Sequence, residues 1–247
     1  MFFFKPYLLL IILLILSSCS SNYTWGWYIL NPKLESGLNN ISFLLSGLYI
    51  TVTISFFSII FSLISGFLVS LAGISKNKLL IIFNRTYVEI VRSIPLLVLL
   101  LWVYYGLPII FGISLSPFIA GILSLAISDS AFEAEIFRAG IESIPKGQHE
   151  ASESLGFNSW QKMRFVVFPQ ALRFVLPPIG NQFVYIVKMS SLVSIVGLAD
   201  LTRKANELVV SVYRPLEIYS FLVLEYLILI LFISFLVRLL EKKLKKY

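Results

Sequence analysis

Residues 41–74 read ISFLLSGLYITVTISFFSIIFSLISGFLVSLAGI, an unbroken run with no Asp, Glu, Lys, Arg or His. A helix crosses the hydrocarbon core of a bilayer with about 20 apolar residues, so this run is long enough to span and to continue beyond. Its Gly, Ser and Thr residues suit close packing against another helix as well as spanning. The rest of the 247-residue chain agrees: 58% of residues are hydrophobic and 13% charged, with mean hydropathy +0.89, whereas soluble domains carry about 25% charged residues. Water cannot be the solvent for most of this chain. Disorder is excluded because it needs low hydrophobicity. One cysteine and one histidine build neither a disulfide framework nor a zinc site.

Outward from that run the apolar segments are clearly punctuated. Residues 79–83 read as a short connecting element, and a second span is expected over 87–111, with Pro95 and Pro108 marking kinks or ends. A short outer turn over 113–117 leads to a third span at 117–139. The longest polar section, 140–172, follows. A fourth span is expected over 177–197, interrupted by Asn181, Lys188 and Ser190, and a strongly apolar fifth over 216–240. The fold class is therefore all-α, a polytopic helical membrane protein with five core transmembrane helices and an N-terminal signal or signal-anchor segment. That segment, residues 1–21, has Lys5 before an apolar run of only about ten residues, short for a span and suited to a signal peptide. Leu16-Ser17-Ser18-Cys19 resembles a bacterial lipoprotein signal, in which Cys19 would be lipidated after cleavage; in an uncleaved anchor Cys19 is only a small residue near the outer interface. Residues 22–40 form an outer segment, where Trp25, Trp27 and Tyr28 suit the headgroup layer. The membrane domain covers 41–240, and 241–247 is a basic tail.

Positive charge sets the orientation, because cytoplasmic loops retain Lys and Arg during insertion. Leaving Lys5 aside, fourteen basic residues fall on the face that holds the loop after span one, the polar section 140–172 and the C-terminal tail, and five on the other. The polar section and the C-terminus are thus expected in the cytoplasm and residue 22 outside, in a bacterial inner membrane. This asymmetry explains the net charge of +7 without nucleic acid.

A long cytoplasmic connection in a compact membrane protein calls for a purpose. This one contains Gln148-His149-Glu150-Ala151-Ser152-Glu153-Ser154-Leu155-Gly156 and then Trp160 to Leu172. Small residues with Leu155, Phe157 and Trp160 suit a short helix that another protein approaches closely. The stretch resembles the EAA motif of importer-type ABC transmembrane subunits: Glu150-Ala151-Ser152 with Ser for the second Ala, Gly156 at the required position, and Val166-Val167-Phe168-Pro169 closing it. The resemblance extends to the polar amino-acid uptake branch through Tyr87-Val88-Glu89-Ile90-Val91-Arg92-Ser93-Ile94-Pro95, Glu135-Ile136-Phe137-Arg138, Ile144-Pro145-Lys146-Gly147, Pro177-Pro178-Ile179-Gly180-Asn181-Gln182 and Lys188-Met189-Ser190-Ser191, in order over most of the chain.

The resemblance implies a permease subunit that forms the membrane passage for a polar amino acid. It implies a second permease subunit, identical or a close paralogue, a cytoplasmic ABC ATPase, and an extracytoplasmic amino-acid-binding protein. Glu150, Ala151, Ser152, Gly156 and Pro169 would then carry the coupling to the ATPase. No Gly-x-x-x-x-Gly-Lys-Ser/Thr occurs in the sequence, so the phosphate-cradling loop that ATP needs is expected on the partner, with ATP and Mg bound there and no cofactor or metal on this chain. No catalytic constellation stands out, and the chain is expected to be a transport subunit rather than an enzyme.

For the passage, ionisable residues in apolar segments are informative, because charge in lipid costs at least about 2.5–3.5 kcal/mol. Asp129 and Glu133 are four apart and share a helix face, with Glu135 beyond them. The resemblance makes Asp129 and Glu133 additions to the family pattern, whereas Glu135 and Arg138 match its Glu-x-x-Arg. Two extra carboxylates suit a cationic amino acid such as arginine, lysine or histidine; structural pairing, of Glu135 with Arg138 or of Glu133 with a base on another span, is the competing reading. Lys188 would hold a substrate carboxylate or snorkel to the interface, and Asn181 and Gln182 would line the passage or bond between helices. Glu89 and Arg92, beside Pro95, read equally as an inner gate or a structural clamp. An ion-coupled secondary amino-acid transporter would use Asp129, Glu133 and Lys188 as ion sites instead, but such folds commonly show internal repeats, and none is evident here.

Overall fold

The structure is a computed structural model describing residues 23–244. The signal or anchor segment 1–21, Cys19 and residues 245–247 of the basic tail lie outside the described residues. After a short 3-10 turn at Trp27–Leu30, the described residues form eight helices: α1 (Glu35–Gly73), α2 (Lys78–Ser93), α3 (Leu96–Phe111), α4 (Pro117–Glu142), α5 (Lys146–Ser154), α6 (Ser159–Val196), α7 (Leu201–Val212) and α8 (Pro215–Leu244). Four of them, α1, α4, α6 and α8, are long and apolar enough to cross a membrane, and the bent pair α2–α3 makes a fifth crossing element.

The centre of the bundle is the α1–α4 contact. Gly47, Thr51, Ser55, Ser58, Ser62, Gly66 and Ser70 are buried on α1, spaced three or four apart and therefore on one face. Helices in lipid gain no hydrophobic drive from meeting one another, so close approach through small residues is what holds them. Ile54 lies against Gly121, Ser62 bonds Asp129, and Gly66 lies against Glu133. Each of these pairs is separated by 67 positions, so the two helices run parallel in register. Between two parallel helices the chain has to return across the bilayer, which is the task of α3.

That return is not a straight span over 87–111. The connecting element expected at 79–83 is part of α2, which starts at Lys78 with Asn77 as its cap: Leu79 N donates to Asn77 Oδ1 at 2.9 Å. α2 ends at Ser93, and α3 leaves it at 95°. Pro95 causes the break, since the residue before a proline is pushed out of helical geometry, and Ile94 is extended at φ −89°, ψ 122°. Pro108 does not end the span; it sits in the last helical turns of α3 just after a π-helical stretch, Trp102–Gly106.

The fourth span also starts earlier than 177. α6 opens at Ser159 behind a capping box in which Gln161 N donates to Asn158 Oδ1 and Asn158 N to Gln161 Oε1. It runs through a π turn at Met163–Val167 and carries Pro177 and Pro178 within its interior. Two missing N–H donors do not stop a helix whose neighbours surround it. The expected polar loop 140–172 is consequently mostly helical: the end of α4, the short α5, and the first turns of α6.

α7 is not anticipated by the apolar pattern. Buried Asp200 caps it, accepting from Arg203 N at 2.9 Å, and Leu201 N donates to Thr51 Oγ1 on α1 at 3.2 Å. Gly47 permits this approach, because a Cβ there would lie 2.6 Å from Leu201 N. At the same end of the bundle the segment before α1 is tied to α8: buried Glu217 accepts from Tyr23 Oη and Gly26 N, and Arg214 donates to the Thr24 carbonyl at 2.7 Å. Trp25 and Trp27 stack on each other and remain exposed there.

Candidate functional site

Three places collect the functional groups. The first lies inside the bundle, where α1, α4 and α6 meet. Asp129 is buried; its Oδ2 accepts from Ser62 Oγ at 2.5 Å and its Oδ1 from Gln182 Nε2 at 2.8 Å. One helical turn on, Glu133 has no exposed surface and neither carboxyl oxygen has a hydrogen-bond partner. Among the described residues no base on another span pairs with it. Leaving a buried carboxyl without a donor is costly. Gln182, rather than its neighbour Asn181, supplies the α6 donor; Asn181 and Lys188 are exposed and make no side-chain hydrogen bond among the described residues. Ser62 carries no sequence signal of its own, since it is one of many hydroxyls on α1 and only the register with α4 selects it.

The second place is a cleft of about 720 Å³ between α2 and α4. Arg85, Glu89 and Arg92 line it from α2, and Glu135, Arg138 and Glu142 from α4. Arg138 holds both oxygens of Glu135, at 2.7 and 3.1 Å, and reaches Glu142 at 2.8 Å. The Glu-x-x-Arg pairing within one helix is therefore formed. Glu89 and Arg92 do not bond each other; the Arg92 guanidinium lies 4.8 Å from the centre of the Phe132 ring instead. Pro95 stands just past the cleft at the α2–α3 bend.

The third place is the α5 region. Ile141, Ile144, Val167 and Ala171 form a small buried cluster with Ile74 and Met163, which fixes both ends of the connection to the feet of α1, α4 and α6. Ser152 is buried, with its Oγ donating to the His149 carbonyl at 2.7 Å. Glu150 and Ala151 are exposed on α5, as are Leu155 at 76% just past its end and Trp160 at 62% in the first turn of α6, so α5 holds one polar anchor inward and is followed by exposed apolar side chains. Gly156 ends the helix at φ +80° with nothing within 4 Å of where a Cβ would stand; the backbone conformation, not crowding, calls for glycine. Lys162 donates to Glu153 at 2.5 Å and holds that carboxyl below the ordinary glutamate range. Pro169 is exposed on α6, immediately past the π turn.

A parallel small-residue contact between α1 and α4, a broken second span and a short helix between α4 and α6 together define the architecture. Residues 66–246 match the family model described as "Binding-protein-dependent transport system inner membrane component". The chain belongs to this family. The permease is 35% identical over 210 residues to the glutamine transport system permease protein GlnP of Escherichia coli (strain K12), covering 83% of this chain and 94% of that protein. It is 40% identical over 208 residues to the probable glutamine ABC transporter permease protein GlnM of Bacillus subtilis (strain 168), covering 84% and 96%. Among solved structures it is similar to a subunit of an amino acid ABC transporter crystallised with histidines, at TM-score 0.81 and 36% identity, with 90% of this chain and all of that one covered. A subunit of the MetNI methionine ABC transporter, at 24% identity and TM-score 0.73, shares the fold. The permease is thus an all-α, multi-pass inner-membrane transport component of the amino-acid ABC importer type and not an enzyme.

Proposed function

We propose that this permease forms the membrane passage for a polar amino acid and is driven through α5 by a cytoplasmic ABC ATPase. A second permease subunit, identical or paralogous, completes the passage, and an extracytoplasmic amino-acid-binding protein delivers the substrate. ATP and Mg belong to the ATPase, and this chain holds no cofactor of its own. The C-terminus and α5 lie in the cytoplasm and residue 23 outside, in keeping with the basic residues around α5 and α8.

The observation that carries the coupling is the exposure of Ala151 on α5, Leu155 at its end and Trp160 in the first turn of α6, on a connection clamped at both ends by a buried cluster. Apolar and aromatic anchors on a rigid support are what a protein groove takes up, and a helix so clamped transmits a push from its partner to α4 and α6. Glu150, Ala151, Ser152, Gly156 and Pro169 are the coupling residues. Glu133, buried without a donor, supports a passage that takes a cationic side chain, with Asp129 held beside it by Ser62 and Gln182; Glu135 is engaged by Arg138 and acts through it. Asn181 and Lys188 line the outer part of the passage, and Pro95 fixes the bend beside Glu89 and Arg92. The test is to purify the tagged chain from its own membranes in mild detergent and identify its companions by mass spectrometry, beside Gly156→Trp. An ATPase present with the normal chain and lost from the variant supports coupling at α5; no ATPase with either chain contradicts it.

A further inference from the structure

The α2–α4 cleft carries more charge than the α5 coupling or the Asp129–Glu133 site uses. Its α2 wall, Arg85, Glu89 and Arg92, sums to one positive formal charge, and its α4 wall, Glu135, Arg138 and Glu142, to one negative charge. The cleft is neutral as a whole and dipolar across its width. The two walls also differ in how far they are satisfied. Arg138 is occupied by Glu135 and Glu142, while Arg85, Glu89 and Arg92 form no ion pair or side-chain hydrogen bond among the described residues. Each carboxylate of Glu135 and Glu142 still has lone pairs to accept further donors. A volume of about 720 Å³ lies within the roughly 300–1,000 Å³ typical of small-molecule sites.

We infer that this cleft binds the zwitterionic end of the transported amino acid, its α-carboxylate at Arg85 and Arg92 and its α-ammonium at Glu135 and Glu142. This rests on the amino-acid reading above and extends it: the cleft reads what all amino acids share. A simple anion is repelled by the α4 wall and a simple cation by the α2 wall, so only a ligand carrying both charges matches the field. Arg92 is preorganised for the task, since its stack on Phe132 fixes the guanidinium without using its five N–H donors.

The headgroup of phosphatidylethanolamine has the same pair of charges, and the test separates the two sources. The permease, with its ATPase, is reconstituted in nanodiscs of phosphatidylglycerol alone and of phosphatidylglycerol with phosphatidylethanolamine. Binding of radiolabelled L-glutamine and L-arginine is measured against competitors lacking the carboxylate (L-glutaminol) or the free ammonium (N-acetyl-L-glutamine). The expected result is binding that neither competitor displaces, that falls at least tenfold in Arg92→Gln and Glu142→Gln, and that is the same in both nanodiscs. Arg92→Lys, which keeps the charge and loses the fork, should fall less than Arg92→Gln; co-purification of the ATPase with each variant establishes that it is folded. Wild-type binding that Arg92→Gln and Glu142→Gln leave unchanged overturns the assignment of the cleft. So does binding suppressed by phosphatidylethanolamine and restored in its absence, which would make the cleft a lipid site. If the wild-type permease binds no amino acid in either nanodisc, the amino-acid reading itself fails, and the cleft assignment with it.

Discussion

A methyl group on Gly66 would stand 2.5 Å from the Cβ of Glu133 and 2.9 Å from the Ser130 carbonyl oxygen. The absent side chain at Gly66 is what lets α1 and α4 pack in register and brings Ser62 onto Asp129. Because the obstacle is partly backbone, no rotamer change relieves it. Gly66→Ala should cost about 1–3 kcal/mol through overpacking, and Gly66→Leu should abolish the monodisperse detergent-solubilised species. Thermal unfolding followed by size-exclusion chromatography checks this. Unchanged melting of Gly66→Ala would show that the contact is looser than it stands here.

Glu133→Gln and Asp129→Asn remove charge from the interior while keeping shape. The expected outcome is a change in selectivity: uptake of arginine or lysine falls at least tenfold relative to glutamine, the equivalent of about 1.4 kcal/mol. Competition uptake assays in proteoliposomes measure the ratio. An identical ratio in wild type and both variants would assign the two carboxyls to structure.

At Gly156 the backbone is left-handed, which costs a residue with a Cβ about 1–2 kcal/mol, and nothing crowds the position. Gly156→Asn should therefore retain more of the ATPase interaction than Gly156→Ala, because Asn tolerates this conformation. Gly156→Val should retain the least. Pull-down of the ATPase on the tagged permease gives the order, and a ranking by side-chain volume would point to steric contact instead.

The Glu153–Lys162 pair joins α5 to the first turns of α6. Its carboxyl is held below the ordinary glutamate range by the Lys162 hydrogen bond, so its contribution is complete above the ordinary value and is lost only as pH falls through the lower, folded value. The local geometry should stay constant from pH 8 down to about 5. Trp160 emission, in a variant that keeps it as the sole tryptophan, should be flat across that range, whereas Glu153→Gln should show its altered emission already at pH 7. A wild-type transition between pH 6 and 8 would contradict the pairing.

How far the sequence could be read followed the range of the physics involved. Apolar length locates the spanning helices among the described residues, because the bilayer selects on length and composition. α2 was missed as a helix in its own right because its charged face, Arg85, Glu89 and Arg92, breaks the apolar run that a span requires, and its opening residues 79–83 look like a connector. Pro177 and Pro178 looked like a start because in water a proline ends a helix, yet α6 passes through both. α7 is hidden because, at twelve residues, it is too short to span, and the contact that fixes its start, Leu201 N to Thr51 Oγ1 on α1, joins residues 150 positions apart. At the interior site Asp129 and Glu133 were conspicuous as charges in an apolar segment. Gln182 is legible in the sequence as a polar group suited to bonding between helices, whereas Ser62 is selected only once α1 and α4 are in register.

The most direct test of the central claim is uptake into proteoliposomes containing this permease, its co-purified ATPase and binding protein, with or without ATP, and with or without imposed proton and sodium gradients. The expected result is accumulation of a polar amino acid that requires ATP on the α5 side, is lost with Gly156→Trp, and is indifferent to both gradients. Accumulation driven by a proton or sodium gradient in the absence of ATP would contradict it and make the chain an ion-coupled transporter.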